Sequence, residues 1–213
     1  MSYVQTSLFG SGGVSVDPDV PVDRIPLGDT SWVDVGRRWF RGSDDLFADL
    51  VREAPWRQGR RRMYDRVVDD PRWSWAPDDS DEPEGIRAMR VALEERYGSP
   101  FGRGFCNYYR DGNDSVAPHG DRGLRDSDDE SLVAVVTLGS ERAFLLRPKG
   151  GGRSIDLRPG PGDLLVMGGH CQRDFEHGVP KRRHAGPRIS VSFRSGPWIE
   201  PDRTGATLVQ APR

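Results

Sequence analysis

The amino-acid sequence predicts a mainly β fold with flanking helices, an α+β architecture built on a β-sandwich or jelly roll. From residue 104 onward, short segments rich in β-branched and aromatic residues are separated by glycine, proline or charged turns. The chain has 26 glycines and 17 prolines, which suits short strands joined by turns more than a helical bundle. Two segments before residue 104 have the apolar spacing of helices.

Seven segments after residue 103 are predicted as strands. They are GFCNYYR (104–110), SLVAVVTLG (131–139), RAFLLRP (142–148), RSIDLRP (153–159), DLLVMGG (163–169), FEHGVPK (175–181) and RISVSFR (188–194). The glycine-rich KGGGR at 149–153 is predicted as a hairpin turn. A phosphate-binding loop would instead end in Gly-Lys-Ser/Thr and lead into a helix.

Residues 1–100 are predicted to precede the β-rich core as an extension made of an arm, two helices and the segment between them. Residues 1–30 are rich in Gly, Pro, Ser and Asp, so we expect an irregular arm there. Residues 31–40 are expected to add a short strand or turn that packs on the core. The core itself is expected over residues 101–213, and the two parts should form one structural unit.

Both helices are predicted within that extension. The first should have Ser43 as its N-cap, with acidic residues in its first turn, and should end by Pro55. The second should begin near Pro83 and run to Tyr97, with Gly98 as its stop. Its imperfect apolar face consists of Ile86, Met89, Val91, Leu93 and Tyr97.

Charge and cysteine content exclude several classes of protein. The formal net charge is −2, so no global positive field indicates a nucleic-acid partner. Cys106 and Cys171 are too few for a disulfide framework, which favours a reducing compartment. We find no signal peptide and no apolar run approaching the roughly 20 residues of a membrane-spanning helix. The expectation is a cytoplasmic monomer with no membrane partner.

The stretch NYYRDGNDSVAPHGD (107–121) ends in a His-x-Asp motif formed by His119 and Asp121. Residues i and i+2 of an extended strand point to the same side, so this imidazole and this carboxylate would converge. A lone His-x-Asp is common by chance, and two ligands do not make a metal site. His177 in DFEHGVPK is the candidate third ligand. Two histidines and one carboxylate form the facial triad of non-haem Fe(II) oxygenases.

The segment PRISVSFR (187–194) alternates strictly between polar and apolar residues. Arg188, Ser190, Ser192 and Arg194 fall on one face of the predicted strand, and apolar residues fall on the other. An inward polar face would carry two guanidiniums that could bind a carboxylate in a bidentate fork. The alternative is a solvated outer face with two exposed arginines.

In their order and spacing, these motifs resemble the AlkB-like Fe(II)/2-oxoglutarate dioxygenases. The similarity covers roughly residues 104–194 and extends more weakly back to about residue 30. The matching blocks are NYYRDGNDSVAPHGD, AVVTLGSERAFLLRPK, GDLLVMGG, EHGVPK and GPRISVSFR. The resemblance implies a double-stranded β-helix, which is a jelly roll with a metal in its mouth. It also implies Fe(II) as cofactor, 2-oxoglutarate as co-substrate and O2 as oxidant.

The resemblance also implies roles for individual residues. The catalytic metal ligands would be His119, Asp121 and His177. The distal carboxylate of 2-oxoglutarate would be bound by Arg188, with Tyr109 and Ser190 as hydrogen-bond partners, while Arg194 and Asn107 would lie nearer its C1 carboxylate. A turn or strand-ladder role is the alternative for Asn107.

The segment WRQGRRRMYDRVVDDPRWSW (56–75) interleaves arginines with aromatic residues. Aromatic rings can stack on bases, and arginines can meet phosphates. The family places a nucleotide-recognition lid before its core, so this segment is the candidate lid. The candidate substrate-binding residues are Arg60, Arg61, Arg62, Met63, Tyr64, Trp73 and Arg122. Alternatively, Trp56, Tyr64 and Trp73 are core residues, and the basic segments RQGRRR (57–62) and KRRH (181–184) are solvated loops.

By resemblance, the activity would be oxidative dealkylation of N-alkylated bases, such as 1-methyladenine and 3-methylcytosine, in alkylated DNA or RNA. The base would be single-stranded or flipped out, because its target atom is unreachable in the stack. One alternative is a 2-oxoglutarate-dependent hydroxylase of a protein or small molecule. Another is a non-catalytic jelly-roll module that binds metal or nucleic acid.

The motif HGDRG (119–123) departs from the family pattern. Many relatives carry an acidic residue two positions after the ligand aspartate, and here that position is Gly123. Glycine offers no side-chain acceptor for the exocyclic amine of a base. Base selectivity is therefore expected to come from Met63, Tyr64 and Trp73 of the candidate lid.

Overall fold

The computed structural model describes residues 13–63, 65–121, 124, 130–195 and 209–210. Its helices are α1 (Ser43–Glu53), α2 (Glu84–Tyr97) and α3 (Cys171–Asp174). Its strands are β1 (Ser15–Val16), β2 (Val22–Pro26), β3 (Ser31–Gly36), β4 (Phe40–Arg41), β5 (Arg57–Met63), β6 (Arg66–Trp75), β7 (Phe105–Tyr109), β8 (Val116–His119), β9 (Leu132–Gly139), β10 (Leu145–Pro148), β11 (Ile155–Asp156), β12 (Leu164–Gly169), β13 (Phe175–Val179), β14 (Arg188–Ser195) and β15 (Val209–Gln210).

Two antiparallel sheets make up the body of the described chain. The larger has the strand order β15-β5-β6-β7-β14-β9-β12-β3-β2, and the smaller has the order β11-β10-β13-β8. Strands from both sides of residue 100 therefore share the larger sheet. The predicted mainly β fold with flanking helices is confirmed, and each of the seven predicted segments contains a strand.

The centre of the larger sheet is buried on both faces, as strand β9 shows. Its residues Ala134, Val136 and Leu138 pack in a core cluster with α1 and α2. Val133 and Val135 point the other way, into a cluster with the smaller sheet. Alternate residues of a strand point to opposite faces, so one apolar strand supplies both cores.

Strand β14 follows the same rule but with a polar inner face. Ile189, Val191 and Phe193 are fully buried on the helix side. Arg188 and Ser190 are also buried, and they point toward the space between the sheets. The inward polar face predicted from the alternation is therefore confirmed.

The first hundred residues differ from expectation in two places. The arm predicted as irregular over residues 1–30 contains β1 and β2, and β2 forms an edge of the larger sheet by pairing with β3. Ser43 is not the N-cap of α1 but its first residue. Gly42 is the N-cap, in a left-handed conformation with φ 77°, and no side chain caps the helix.

The second helix matches the prediction at both ends, with Pro83 before it and Gly98 closing it at φ 63°. Ile86, Met89 and Leu93 are fully buried, whereas Val91 is 42% exposed and does not belong to the apolar face. Among the described residues, no helix is long and apolar enough to cross a bilayer.

The segment between the helices is a β-hairpin. Strands β5 and β6 pair antiparallel, and β6 continues the larger sheet by pairing with β7. The interpretation of RQGRRR (57–62) as a loop is therefore wrong, because this segment lies within β5. The glycine-rich turn at 149–153 does connect β10 to its antiparallel partner β11, as predicted.

Candidate metal centre and co-substrate pocket

Strands β8 and β13 bring the three predicted metal ligands together. His119 and His177 are direct partners in the register of this strand pair. Asp121 lies two residues beyond the end of β8, and its Oδ1 is 3.7 Å from His119 Nε2 and 3.8 Å from His177 Nε2. The ligand atoms all lie within 4.8 Å of one another. Two imidazoles and one carboxylate at this spacing fit the donor set of a facial-triad metal site.

Hydrogen bonding and packing orient the two imidazoles. His119 Nδ1 is 2.9 Å from the carbonyl oxygen of Ala117. A carbonyl can only accept, so Nδ1 carries the proton and Nε2 is left as the donor to a metal. The ring of His177 stacks on Phe144, with centroids 5.6 Å apart. The side chain of His119 is 41% exposed and that of His177 only 10%, so the site opens toward solvent on the His119 side.

Two side chains hold the carboxylate ligand. Arg194 Nε donates to Asp121 Oδ2 at 2.7 Å, and the Asp121 backbone N–H donates to Gln172 Oε1 at 3.1 Å. Burial by itself would raise the pKa of Asp121, but the charges of Arg194 and His177 outweigh it and hold that pKa below its usual value. Burial also lowers the pKa of His177 to about 4, against the pull of Asp121. Both shifts favour the forms that bind metal, a carboxylate and a neutral imidazole.

Arg188 lies fully buried between the sheets, and its guanidinium is only partly hydrogen-bonded. Its Nη2 donates to Thr137 Oγ1 at 3.1 Å, and its guanidinium carbon is 5.5 Å from the centre of the Tyr109 ring. Within the described part of the chain, its Nε and Nη1 have no hydrogen-bond partner. Burial lowers the pKa of Arg188 to about 10. Buried donors without partners are costly, so this pocket fits an anionic ligand that would accept from them.

Sequence reasoning missed two residues near this pocket. Thr137 accepts from Arg188, and it is the polar residue on the face of β9 that otherwise carries Val133 and Val135; the alternation could have revealed it. Arg72 Nε donates to Asn107 Oδ1 at 2.8 Å and so fixes the orientation of that amide. These two residues are 35 positions apart on paired strands, and no local pattern signals the contact.

The sequence model of the 2OG-Fe(II) oxygenase superfamily matches residues 47–194, which is more than half of the chain. The chain belongs to this superfamily. The superfamily name specifies Fe(II) and 2-oxoglutarate. The triad offers three ligand atoms for the metal, and the Arg188 pocket offers hydrogen-bond donors for a carboxylate.

Curated relatives place the chain among the AlkB-like members. It is 29% identical over 200 residues to "Alpha-ketoglutarate-dependent dioxygenase alkB homolog 3" of Bos taurus, which covers 77% of this chain and 64% of that protein. It is 34% identical over 207 residues to "DNA oxidative demethylase ALKBH2" of Arabidopsis thaliana, covering 73% and 62% respectively. The chain thus spans less than two thirds of the length of these relatives.

Solved structures agree on the fold alone. A prolyl-4-hydroxylase from Pseudomonas putida superposes with a TM-score of 0.51 at 17% identity, covering 76% of this chain and 91% of that one. A prolyl hydroxylase from Trichoplax adhaerens gives a TM-score of 0.54 at 13% identity, covering 71% and 74%. The jelly roll expected of the superfamily is confirmed.

The candidate lid is the β5–β6 hairpin, whose described arginine side chains are exposed apart from the half-buried Arg72. Arg60 Nε donates to Asp69 Oδ1 across the hairpin at 2.8 Å, and Arg62 is also exposed. Tyr64, Arg122 and Gly123 lie outside the described residues, as do the side chains of Arg61 and Met63.

The tryptophans of this segment are held by the core. Trp56 is buried, and its indole N–H donates to the carbonyl of Leu50. Trp73 is half-buried, with its ring 6.1 Å from that of Tyr108 and the Arg110 guanidinium 4.8 Å from its centre. The alternative that the tryptophans of this segment are core residues therefore holds for Trp56. Trp73 packs at the edge of the same core cluster.

The second basic segment, residues 181–184, lies past the far end of β13. The chain runs from His177 through Val179 and Pro180 before it reaches this loop. The loop then rests on the β7–β8 connection, where the Arg182 N–H donates to the Gly112 carbonyl. Its arginines are exposed, and it does not join the triad.

Proposed function

We propose that the protein is an Fe(II)- and 2-oxoglutarate-dependent dioxygenase that oxidatively removes alkyl groups from base nitrogens in DNA or RNA. 1-Methyladenine and 3-methylcytosine are the proposed lesions. One observation carries the proposal. A His–Asp–His cluster with ligand atoms within 4.8 Å of one another is linked through the Asp121–Arg194 contact to strand β14. The same strand carries buried Arg188, whose Nε and Nη1 have no hydrogen-bond partner among the described residues. A metal and an anionic co-substrate together satisfy both features.

In this proposal, His119, Asp121 and His177 hold Fe(II). Arg188 binds the distal carboxylate of 2-oxoglutarate through Nε and Nη1, which have no partner within the described part of the chain, and Thr137 accepts from its Nη2. Tyr109 lies beside that guanidinium and closes the pocket. When bound, Fe(II) would supply oxidation of the alkyl carbon by O2, coupled to conversion of 2-oxoglutarate to succinate and CO2. The hydroxylated alkyl group would then be released as an aldehyde, which restores the base nitrogen.

The remaining inner-face residues orient the ligands. Arg194 acts through the carboxylate of Asp121, which it keeps ionised and directed at the two histidines. Ser190 is the register partner of both Asn107 and Thr137, so the three residues form a polar row across neighbouring strands. We propose that Asn107, held by Arg72, and Ser190 contribute to the co-substrate site.

The substrate reaches the metal from the His119 side, which is the exposed side of the triad. The similarity to proteins named for alkB and for DNA oxidative demethylation supports an alkylated base as that substrate. An alkylated base would enter unpaired, from a single strand or flipped out of a duplex. The exposed arginines of the β5–β6 hairpin then provide contacts to its phosphates.

The experiment combines two readouts on one reaction. The protein is incubated with Fe(II), ascorbate and 2-oxoglutarate, with oligonucleotides that carry 1-methyladenine or 3-methylcytosine or that lack a lesion. We expect succinate formation to rise with the methylated oligonucleotides only, together with loss of the methyl group by mass spectrometry. If succinate forms at the same rate with and without a methylated base, only the Fe(II) and 2-oxoglutarate part of the proposal stands. A protein or small-molecule substrate would then be favoured.

A further inference from the structure

Arg142 lies in the connection between β9 and β10 and is only 3% exposed. Its guanidinium donates to three backbone carbonyls. Nη1 donates to Asp111 at 2.8 Å, and Nη2 donates to Asp114 at 3.0 Å and to Pro180 at 3.0 Å. Burial of a guanidinium is costly, and it lowers the pKa of Arg142.

The three carbonyls belong to two segments that flank the metal ligands. Asp111 and Asp114 are in the connection that leads directly into β8, the strand that ends at His119. Pro180 directly follows β13, the strand that carries His177. Arg142 therefore joins the start of one ligand strand to the end of the other.

These contacts of Arg142 matter because β8 and β13, the strands that they connect, form only a short pair. Strand β8 is an edge of the smaller sheet, and within the described residues β13 is its partner strand. Their register includes His177 with His119 and Val179 with Val116, with an irregularity between the two pairs. A ladder this short can shift or fray, and any shift changes the separation of the two imidazoles.

The loop that Arg142 contacts is itself cross-linked by hydrogen bonds. Arg110 makes a bidentate contact with Asp114 at 2.7 and 2.8 Å, and its backbone N–H donates to the same carboxylate. A backbone bond from Arg182 to Gly112 also connects the two segments. Movement of the clamped end is therefore transmitted to β8 rather than absorbed in the loop.

We propose that Arg142 is a positioning residue for the metal centre, holding β8 against β13 so that His119 and His177 bind one ion. The proposal rests on the metal site of the proposed function. Arginine suits the task because its planar fork can donate to several carbonyls at once, which neither lysine nor glutamine can do in the same geometry.

The test measures metal binding directly. Metal-free wild-type protein and Arg142→Gln are titrated with Co(II), and the visible absorption of the bound ion reports affinity. The matched control is Arg147→Gln, which removes a largely exposed ion pair to Glu176 on the neighbouring strands β10 and β13. We expect Arg142→Gln to bind Co(II) at least tenfold more weakly and with an altered spectrum, and the control to stay within twofold of wild type.

A merely structural role gives a different result. Thermal unfolding of the metal-free proteins is measured in parallel, and a lower Tm with unchanged Co(II) affinity and spectrum would overturn the proposal. If Arg142→Gln does not fold, Arg142→Lys takes its place, because it retains the charge but loses the fork, and it too should weaken Co(II) binding. The Asp121→Ala variant distinguishes failure of the Arg142 proposal from failure of the metal site on which it rests. Wild-type Co(II) binding that Asp121→Ala does not reduce would contradict the triad itself, whereas normal binding by the Arg142 variants contradicts only the positioning role.

Discussion

Two strands of the larger sheet carry arginines under opposite conditions. On β14, Arg188 is fully buried and its Nε and Nη1 have no partner among the residues that the structure describes, while Arg194 contacts a metal-ligand carboxylate. On β5, Arg60 and Arg62 are exposed, and Arg60 reaches an aspartate across the hairpin. The two arginines of β14 specify a ligand by position and geometry. The exposed pair can attract an anion only through a field that salt screens.

The largest effect should come from loss of Asp121, the carboxylate that Arg194 of β14 contacts. Asp121→Ala should abolish Fe(II)-dependent succinate formation, because it removes the anionic ligand of the triad. The circular dichroism spectrum should remain that of wild type, since Asp121 lies beyond the end of β8. Near-normal succinate production by this variant would show that the metal is held elsewhere.

Arg188→Lys should have the next largest effect. Lysine keeps the positive charge but loses the bidentate fork, so the KM for 2-oxoglutarate should rise by about tenfold or more. Thr137→Val should have a smaller effect, because it leaves Arg188 in place and removes only the acceptor of its Nη2. An unchanged KM in Arg188→Lys would move the carboxylate site to another cation, with Arg194 the first to examine.

Replacing Arg60, Arg61 and Arg62 together with alanine should weaken oligonucleotide binding modestly and flatten its salt dependence. Each lost phosphate contact to a single strand should reduce the log–log salt slope by roughly 0.7. Arg52→Ala serves as control, since Arg52 is an exposed arginine on α1 that already contacts Asp49 and Glu53. A salt slope equal to that of wild type would mean that the hairpin arginines face solvent without touching the substrate.

The smallest expected effect is on the choice of base. We expect Tyr64→Ala to change the ratio of 1-methyladenine to 3-methylcytosine turnover, because the residue two positions after Asp121 is Gly123 and provides no acceptor. Gly123→Glu is the comparison variant. If only the Gly123 variant changes the ratio, selectivity lies in the metal-binding loop and not in the lid.

The inner face of β14 shows what sequence can predict. Strict alternation in RISVSFR revealed both its apolar and its polar face, because a period of two is the direct signature of a strand. The His-x-Asp pair was predictable for the same reason. The third ligand, His177, came from the chemistry of the triad and from the family resemblance rather than from any local pattern.

Other features depend on contacts between distant segments. The hydrogen bonds that Arg72 donates to Asn107 and that Arg142 donates to Pro180 join residues 35 and 38 positions apart, respectively. No periodicity encodes them, so they became visible only once strands were paired. The arm was misjudged for a related reason. Its turn-forming composition is real, but β2 gains its strand conformation by pairing with β3 at the sheet edge.

The central claim is that the triad and the Arg188 pocket form one Fe(II)–2-oxoglutarate site, and binding without oxygen tests it most directly. Fe(II) and 2-oxoglutarate are added to the metal-free protein under anaerobic conditions, and the visible charge-transfer absorption of the chelate is recorded. We predict the band in wild type, its loss in Asp121→Ala, and its appearance only at higher 2-oxoglutarate in Arg188→Lys. A wild-type protein that gives no band, or a band that both variants reproduce at the same concentrations, would contradict the account.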